Sequence, residues 1–138
     1  MVEKGATGEE FLNEEALREV INKVGHFAEQ LAQWDKRIVE IVGIGNIAKG
    51  TLSGDDVILL VCTFNPSPEY DSEAFFSIAN LLVRADDEQV YEKLSITHAI
   101  DLGFRMGNKI FLPNGITLLP PKDQITVWPQ FHEQKPER

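Results

Sequence analysis

The eight residues Val57-Ile-Leu-Leu-Val-Cys-Thr-Phe64 constrain this chain more than any other stretch. Nearly every position is apolar, and the run is short, so it reads as a β-strand rather than a helix. It lacks the in–out alternation of a half-exposed strand, which places it at the centre of a sheet, covered on both faces. The rest of the fold must supply strands to either side and layers above and below.

The remaining elements follow from local patterns. Asn13 to about Trp34 is a helix. Asn13 suits the N-cap, Glu14 and Glu15 suit the positive end of the helix dipole, and Leu17, Val20, Ile21, Val24, Ala28 and Leu31 form one apolar stripe. Gly25 weakens it by about 1 kcal/mol relative to Ala. Arg37–Gly43 is β-branched and reads as a strand. Asn65–Asp71, with two prolines, is a loop. A second helix starts at Asp71 or Ser72 and runs to about Arg84, with Ala85-Asp-Asp-Glu88 breaking it and a helical turn over Gln89–Leu94. Ser95–Leu102 reads as a strand with Ile96, His98, Ile100 and Leu102 on one face. Lys109–Leu119 is a hairpin signal around Asn114-Gly115. Ile125–Trp128 is a short edge strand stopped by Pro129. The expected fold is α+β: a mixed or antiparallel sheet, two main helices packed on it, and a C-terminal β-hairpin.

A chain of 138 residues with 43% apolar content can bury one core, so residues 1–138 are expected to form a single domain. The polar ends, 1–8 and 132–138, are expected to fray. A formal net charge of −9 repels phosphate backbones and anionic lipid, which argues against nonspecific nucleic-acid or membrane binding. The polar start MVEKGATGEE does not resemble a signal peptide, and no apolar run approaches the roughly 20 residues of a bilayer span. The lone Cys62 sits in the apolar run, where it reads as a small buried hydrophobe. A cytoplasmic location is the expectation.

The segment Val42-Gly-Ile-Gly-Asn-Ile-Ala-Lys-Gly-Thr-Leu-Ser-Gly-Asp-Asp-Val57 carries the functional information. Gly43-x-Gly45-x-x-Ala48 follows a strand like a dinucleotide fingerprint. About ten residues then lead to the next strand, fewer than the dozen or so of a helical crossover. Gly45 and Gly50 have the spacing of a phosphate-binding loop, but Lys49 precedes the second glycine instead of following it. Both readings fail on the residues themselves.

The pattern Gly45-Asn46, Ala48-Lys49-Gly50-Thr51, then Asp56-Val57-Ile58-Leu59-Leu60-Val61 resembles the nucleotidyltransferase superfamily, in its minimal form, over about 20 residues. In that family a strand leads to Gly-Ser, a short helical turn, and a strand opening Asp-x-Asp. A third carboxylate lies on a later strand, and here Asp101 in Ala99-Ile-Asp-Leu102 would match it. The resemblance implies nucleotide as ligand and Mg²⁺ as cofactor. Asp56 and Asp101 would hold the metal, joined by Asp55 if it lies in the turn, while Gly45, Asn46 and Lys49 would meet phosphate. It implies transfer of a nucleotidyl group and assigns no further catalytic residue. The chain departs from the pattern at Asn46, which replaces Ser, and at Ile58, which replaces the second Asp and cannot bind a metal.

Read without the resemblance, Ser53-Gly-Asp-Asp56 is a polar turn joining two strands. His98 reads as a satisfied core histidine, and His26 and His132 as solvated. Glu9-Glu10, Glu14-Glu15 and Asp86-Asp87-Glu88 read as solvated ends and turns. Trp34 and Trp128 fall at element ends. The rival function is a non-catalytic protein-binding or scaffold domain, a homo-oligomer through the edge around Leu112–Leu119, with a contiguous apolar surface patch.

Overall fold

The computed structural model describes residues 11–130. The expected fraying of 1–8 and 132–138, the Glu9-Glu10 pair and His132 lie outside the described residues. In chain order the elements are α1 (Glu14–Trp34), β1 (Ile38–Ile44), α2 (Asn46–Lys49), β2 (Ile58–Phe64), α3 (Asp71–Asp87), α4 (Val90–Leu94), β3 (Ile100–Met106), β4 (Lys109–Phe111), β5 (Thr117–Leu118) and β6 (Gln124–Trp128).

Six strands form one mixed sheet in the order β5-β4-β3-β2-β1-β6. The apolar run is its central strand: β2 pairs antiparallel with β1 and parallel with β3. The parallel pair is joined through α3 and α4, the kind of crossover that parallel strands require. All other neighbours are antiparallel. Ile58, Leu60 and Cys62 point into the main core with Phe27, Leu31, Ile78, Leu102 and Phe104, so the helices cover that face. Val61 points the other way, into a smaller cluster with Val42, Ile44, Ile110 and Leu112. Each of these large side chains contributes about 1.5–3 kcal/mol on burial.

Helix α1 begins as its sequence dictates. The Asn13 side chain accepts the Ala16 amide hydrogen at 2.7 Å. The helix runs unbroken through Gly25, which is buried against β6; a side chain there would meet that of Gln130. At its end, Arg37 donates to Asp35 through two guanidinium nitrogens at 3.0 and 2.8 Å and to Ser77 Oγ of α3 at 2.9 Å. This fork ties the α1–β1 turn to α3. Trp34 closes α1 beneath the Arg84 guanidinium, 4.5 Å above its ring.

Two expectations need correction. Helix α3 does not break at Ala85 but continues to Asp87. Ala85 extends the buried stripe of Ala74, Ile78 and Leu81, and an Arg84–Glu88 ion pair spans the helix end at 3.0 Å. The third strand starts at Ile100, not Ser95, and runs on to Met106. Its neighbour β2 starts only at Ile58, which pairs with Ile100, so Ser95–Thr97 have no partner strand there. The strand then turns through Gly107-Asn108 into β4. Downstream, β4 pairs antiparallel with β5, and β6 returns to the far edge beside β1. Among the described residues no helix is long and apolar enough to cross a membrane.

Candidate functional site

The glycine-rich segment links β1 to β2 at one end of the sheet. β1 and β2 are antiparallel neighbours, so the segment is not the helical crossover of a dinucleotide-binding unit. Gly45 has φ +78° and ψ −142°, a conformation that favours glycine, and it turns the chain out of β1. One turn of helix follows. Gly50, in the left-handed region, closes it by donating its amide hydrogen to Asn46 O. Ile47 and Leu52 anchor this turn in the main core. Asn46, Lys49 and Gly50 face outward.

The polar groups of the turn are engaged with one another. Asp56 Oδ2 accepts the Ser53 amide hydrogen at 2.8 Å and a hydrogen from Asn46 Nδ2 at 3.1 Å. Thr51 Oγ1 donates to Asn46 Oδ1 at 3.2 Å. The Asp55 amide donates to Ser53 Oγ at 3.3 Å. Behind them, His98 Nε2 lies 3.0 Å from the Ser53 carbonyl oxygen, in a buried position. A carbonyl only accepts, so Nε2 carries the hydrogen. The backbone of Ser53, through its N–H and its C=O, thus links the Asp56 carboxylate to the His98 ring. The Ser53 amide holds the Asp56 carboxyl below the usual carboxylate range; partial burial opposes this, and the Asn46 amide, the Ser53 hydroxyl and the nearby His98 ring support it.

The structure brings Gly45, Asn46, Asp55 and Asp56 to this one turn, with Lys49 exposed on its helix. Asp101 is placed differently. It stands opposite Leu59 in the β2–β3 register and shares that face of the sheet, while Ile58, at the position of the second carboxylate, is fully buried in the main core. Asp56 spends Oδ2 on its own turn, and among the described residues no three His, Cys, Asp or Glu side chains stand close enough to hold a metal ion. Mg²⁺ is commonly held by only one or two carboxylates, completed by waters and substrate phosphates, and Asp55 and Asp56 are the two candidate carboxylates that this turn brings together.

Sequence reasoning missed Ser53, whose amide, carbonyl and hydroxyl all bind neighbours. The signal was there in Ser53-x-x-Asp56, the spacing of a capping box, in which an acidic side chain reaches back to an amide three residues earlier. His98 is the core histidine expected, although it sits before the strand and not on it. A cavity of about 40 Å³ beside it is lined by Val20, Lys23, Ser95, Ile96 and Thr97, room for about one water. His26 is solvated, 4.0 Å from Glu29. Larger grooves of about 550 Å³ between α1 and β6, and of about 320 Å³ between α1 and α4, contain none of the candidate residues. Burial pushes the Cys62 thiol up to about 12, which leaves it unreactive. Comparison with known proteins returns no match among family models, curated proteins or solved structures.

Proposed function

We propose that this chain is a diverged nucleotidyltransferase-like domain that has given up nucleotidyl transfer and works by binding another protein. The resemblance at Gly45–Val61 supports the first half, together with the sequence of strand, glycine turn, one-turn helix and strand. One observation bears on the loss of transfer: the Asp56 carboxylate is bound into its own turn by Ser53 and Asn46, and the position of the second carboxylate is held by the buried Ile58. A transferase needs that carboxylate and its partner free to bridge metal and phosphate. The same groups here brace a turn.

A second reading is favoured by the exposure of Asn46 and Lys49 beside Asp56. In it the turn still binds nucleotide, with Mg²⁺, without catalysis. Incubation with the four α-phosphate-labelled nucleoside triphosphates and Mg²⁺ or Mn²⁺ separates binding from chemistry. The proposal expects no label transferred to protein or nucleotide acceptors. Transfer that disappears in Asp56→Asn contradicts it.

A further inference from the structure

The last two strands stand at opposite edges of the sheet, yet only Leu119-Pro-Pro-Lys-Asp123 joins them. The register fixes both ends of this link. Leu118 pairs with Ile110, which stands level with Arg105 and Thr63, so β5 ends near the C-terminal end of β2. Gln124 pairs with Ile44, which stands level with Leu59, so β6 begins near the N-terminal end of β2. In a flat sheet these strand spacings and this rise would put Leu118 and Gln124 about 27 Å apart. Extended chain from Leu118 to Gln124 reaches about 20–22 Å. The sheet therefore curls to bring its edges together, and the link runs diagonally, close to full extension.

Helices α1, α3 and α4 fill one face of the sheet. The link therefore crosses the other, over the small cluster of Val42, Ile44, Val61, Ile110 and Leu112. These side chains are buried on a face that carries no helix among the described residues. The curl passes through Gly103, where a side chain would meet Phe111 O at 2.6 Å and Leu112 Cδ2 at 3.0 Å, so the end of β4 already bends over this face. The link itself is weakly held. Pro120 and Pro121 have no N–H to offer. Among the described residues its main chain takes a single hydrogen bond, from Gln124 Nε2 to Pro121 O at 2.9 Å. Leu119, Lys122 and Asp123 are exposed, and β5 spans only Thr117–Leu118. Few buried apolar groups and few hydrogen bonds are lost when such a segment lifts, so it opens at a lower cost than the helical face.

We infer that β5 and residues 119–123 form a strap that closes the second face and opens as a unit while the helical face stays folded. The closed state hides Val42, Val61 and Ile110, and the open state displays them as an apolar strip on the sheet. This two-state device is independent of the reading of the glycine turn.

Two neighbours on β2 test it, since Val61 lies under the strap and Cys62 under the helices. Val61→Cys in a Cys62→Ala chain is compared with the parent, whose only thiol is Cys62. The readout is the rate of reaction with a thiol reagent at pH 8 across a urea series. Without denaturant the introduced thiol should react about tenfold or more faster than Cys62, and its rate should depend weakly on urea, the mark of a small opening. Cys62 should follow global unfolding. Leu118 anchors the strap against the second cluster. Leu118→Ala should speed the introduced thiol severalfold and leave the reaction of Cys62 without denaturant unchanged. If Val61→Cys fails to fold, hydrogen exchange of the parent decides. The Leu112 amide, bonded to Ile116 O, should exchange through a small opening, and the Leu60 amide, on a strand paired on both sides, only with global unfolding. Equal rates with equal urea dependence at the two thiols overturn the inference. So does indifference of the introduced thiol to Leu118→Ala, or a Leu112 amide that exchanges only with global unfolding.

Discussion

The carboxylate of Asp56 and the amide of Ser53, three residues back, are joined at 2.8 Å, and the Ser53 carbonyl is in turn held by His98 at 3.0 Å. The two peptide groups flanking the Ser53 Cα thus fix the turn from both sides. Its consequence is a link between the ionisation of Asp56 and the stability of the fold.

Asp56 has its carboxyl pKa lowered by folding, first by the Ser53 amide. A lowered folded value means that the ionised form contributes stability at all pH above the unfolded value of about 3.9. That contribution is lost as pH falls through the folded value. Asp35, lowered chiefly by its bonds to Arg37, behaves alike. Asp56→Ala should therefore cost about 1 kcal/mol near neutrality, as loss of a capping side chain does. The difference from the parent should shrink below about pH 4. Urea unfolding at a series of pH values checks both.

Arg37 should not tolerate lysine. Its fork spans Asp35, reaches Ser77, and lies 5.2 Å over the Phe64 ring. A lysine keeps the charge but not the planar, two-pronged geometry. Arg37→Lys is expected to cost about 1–2 kcal/mol, read as a lower midpoint in urea with unchanged slope.

Gly103 sits in β3 where a side chain would meet Phe111 O at 2.6 Å and Leu112 Cδ2 at 3.0 Å. The nearer atom is backbone and cannot swing aside. Gly103→Ala should destabilise by about 1–3 kcal/mol, the usual cost of overpacking. Thermal melting of the variant checks it, and a neutral result would mean that β4 sits farther off.

Cys62 is fully buried on the central strand, with its thiol pushed up to about 12. Modification by a thiol reagent at pH 8 should be slow in the native protein. It should accelerate with denaturant in step with global unfolding, as expected for a buried residue on a strand paired on both sides.

Much of this fold could be read from residues. Asn13 announced α1, the unbroken apolar run announced the centre of the sheet, and Pro129 stopped the edge strand. What failed was local in each case. Ala85 was read with its acidic neighbours as a break, whereas its burial beneath the sheet-facing stripe carries α3 onward. Gly103 and Arg105 hid the second half of β3, because a central strand's need for close packing looks like a loop in one dimension. The site was half legible. The sequence brought Asn46 and Asp56 to one turn, but the pairing of Asp101 with Leu59 depends on the β2–β3 register, which only the assembled sheet defines. Ser53 reads in sequence only as a turn residue: the Ser53-x-x-Asp56 spacing is legible, but the bond of its carbonyl to His98 joins residues 45 positions apart and depends on the assembled fold.

The most direct test of the central claim is thermal melting with and without Mg²⁺ or Mn²⁺, each with the four nucleoside triphosphates at about a hundredfold excess over an expected dissociation constant. A ligand bound only to the native state adds about 2.7 kcal/mol under those conditions. The account predicts no metal-dependent shift, because Asp56 is committed to Ser53 and Asn46, Ile58 stands in place of the second carboxylate, and Asp101 lies on β3 opposite Leu59. A metal-dependent rise in Tm that vanishes in Asp56→Asn would contradict it and return the glycine turn to nucleotide chemistry.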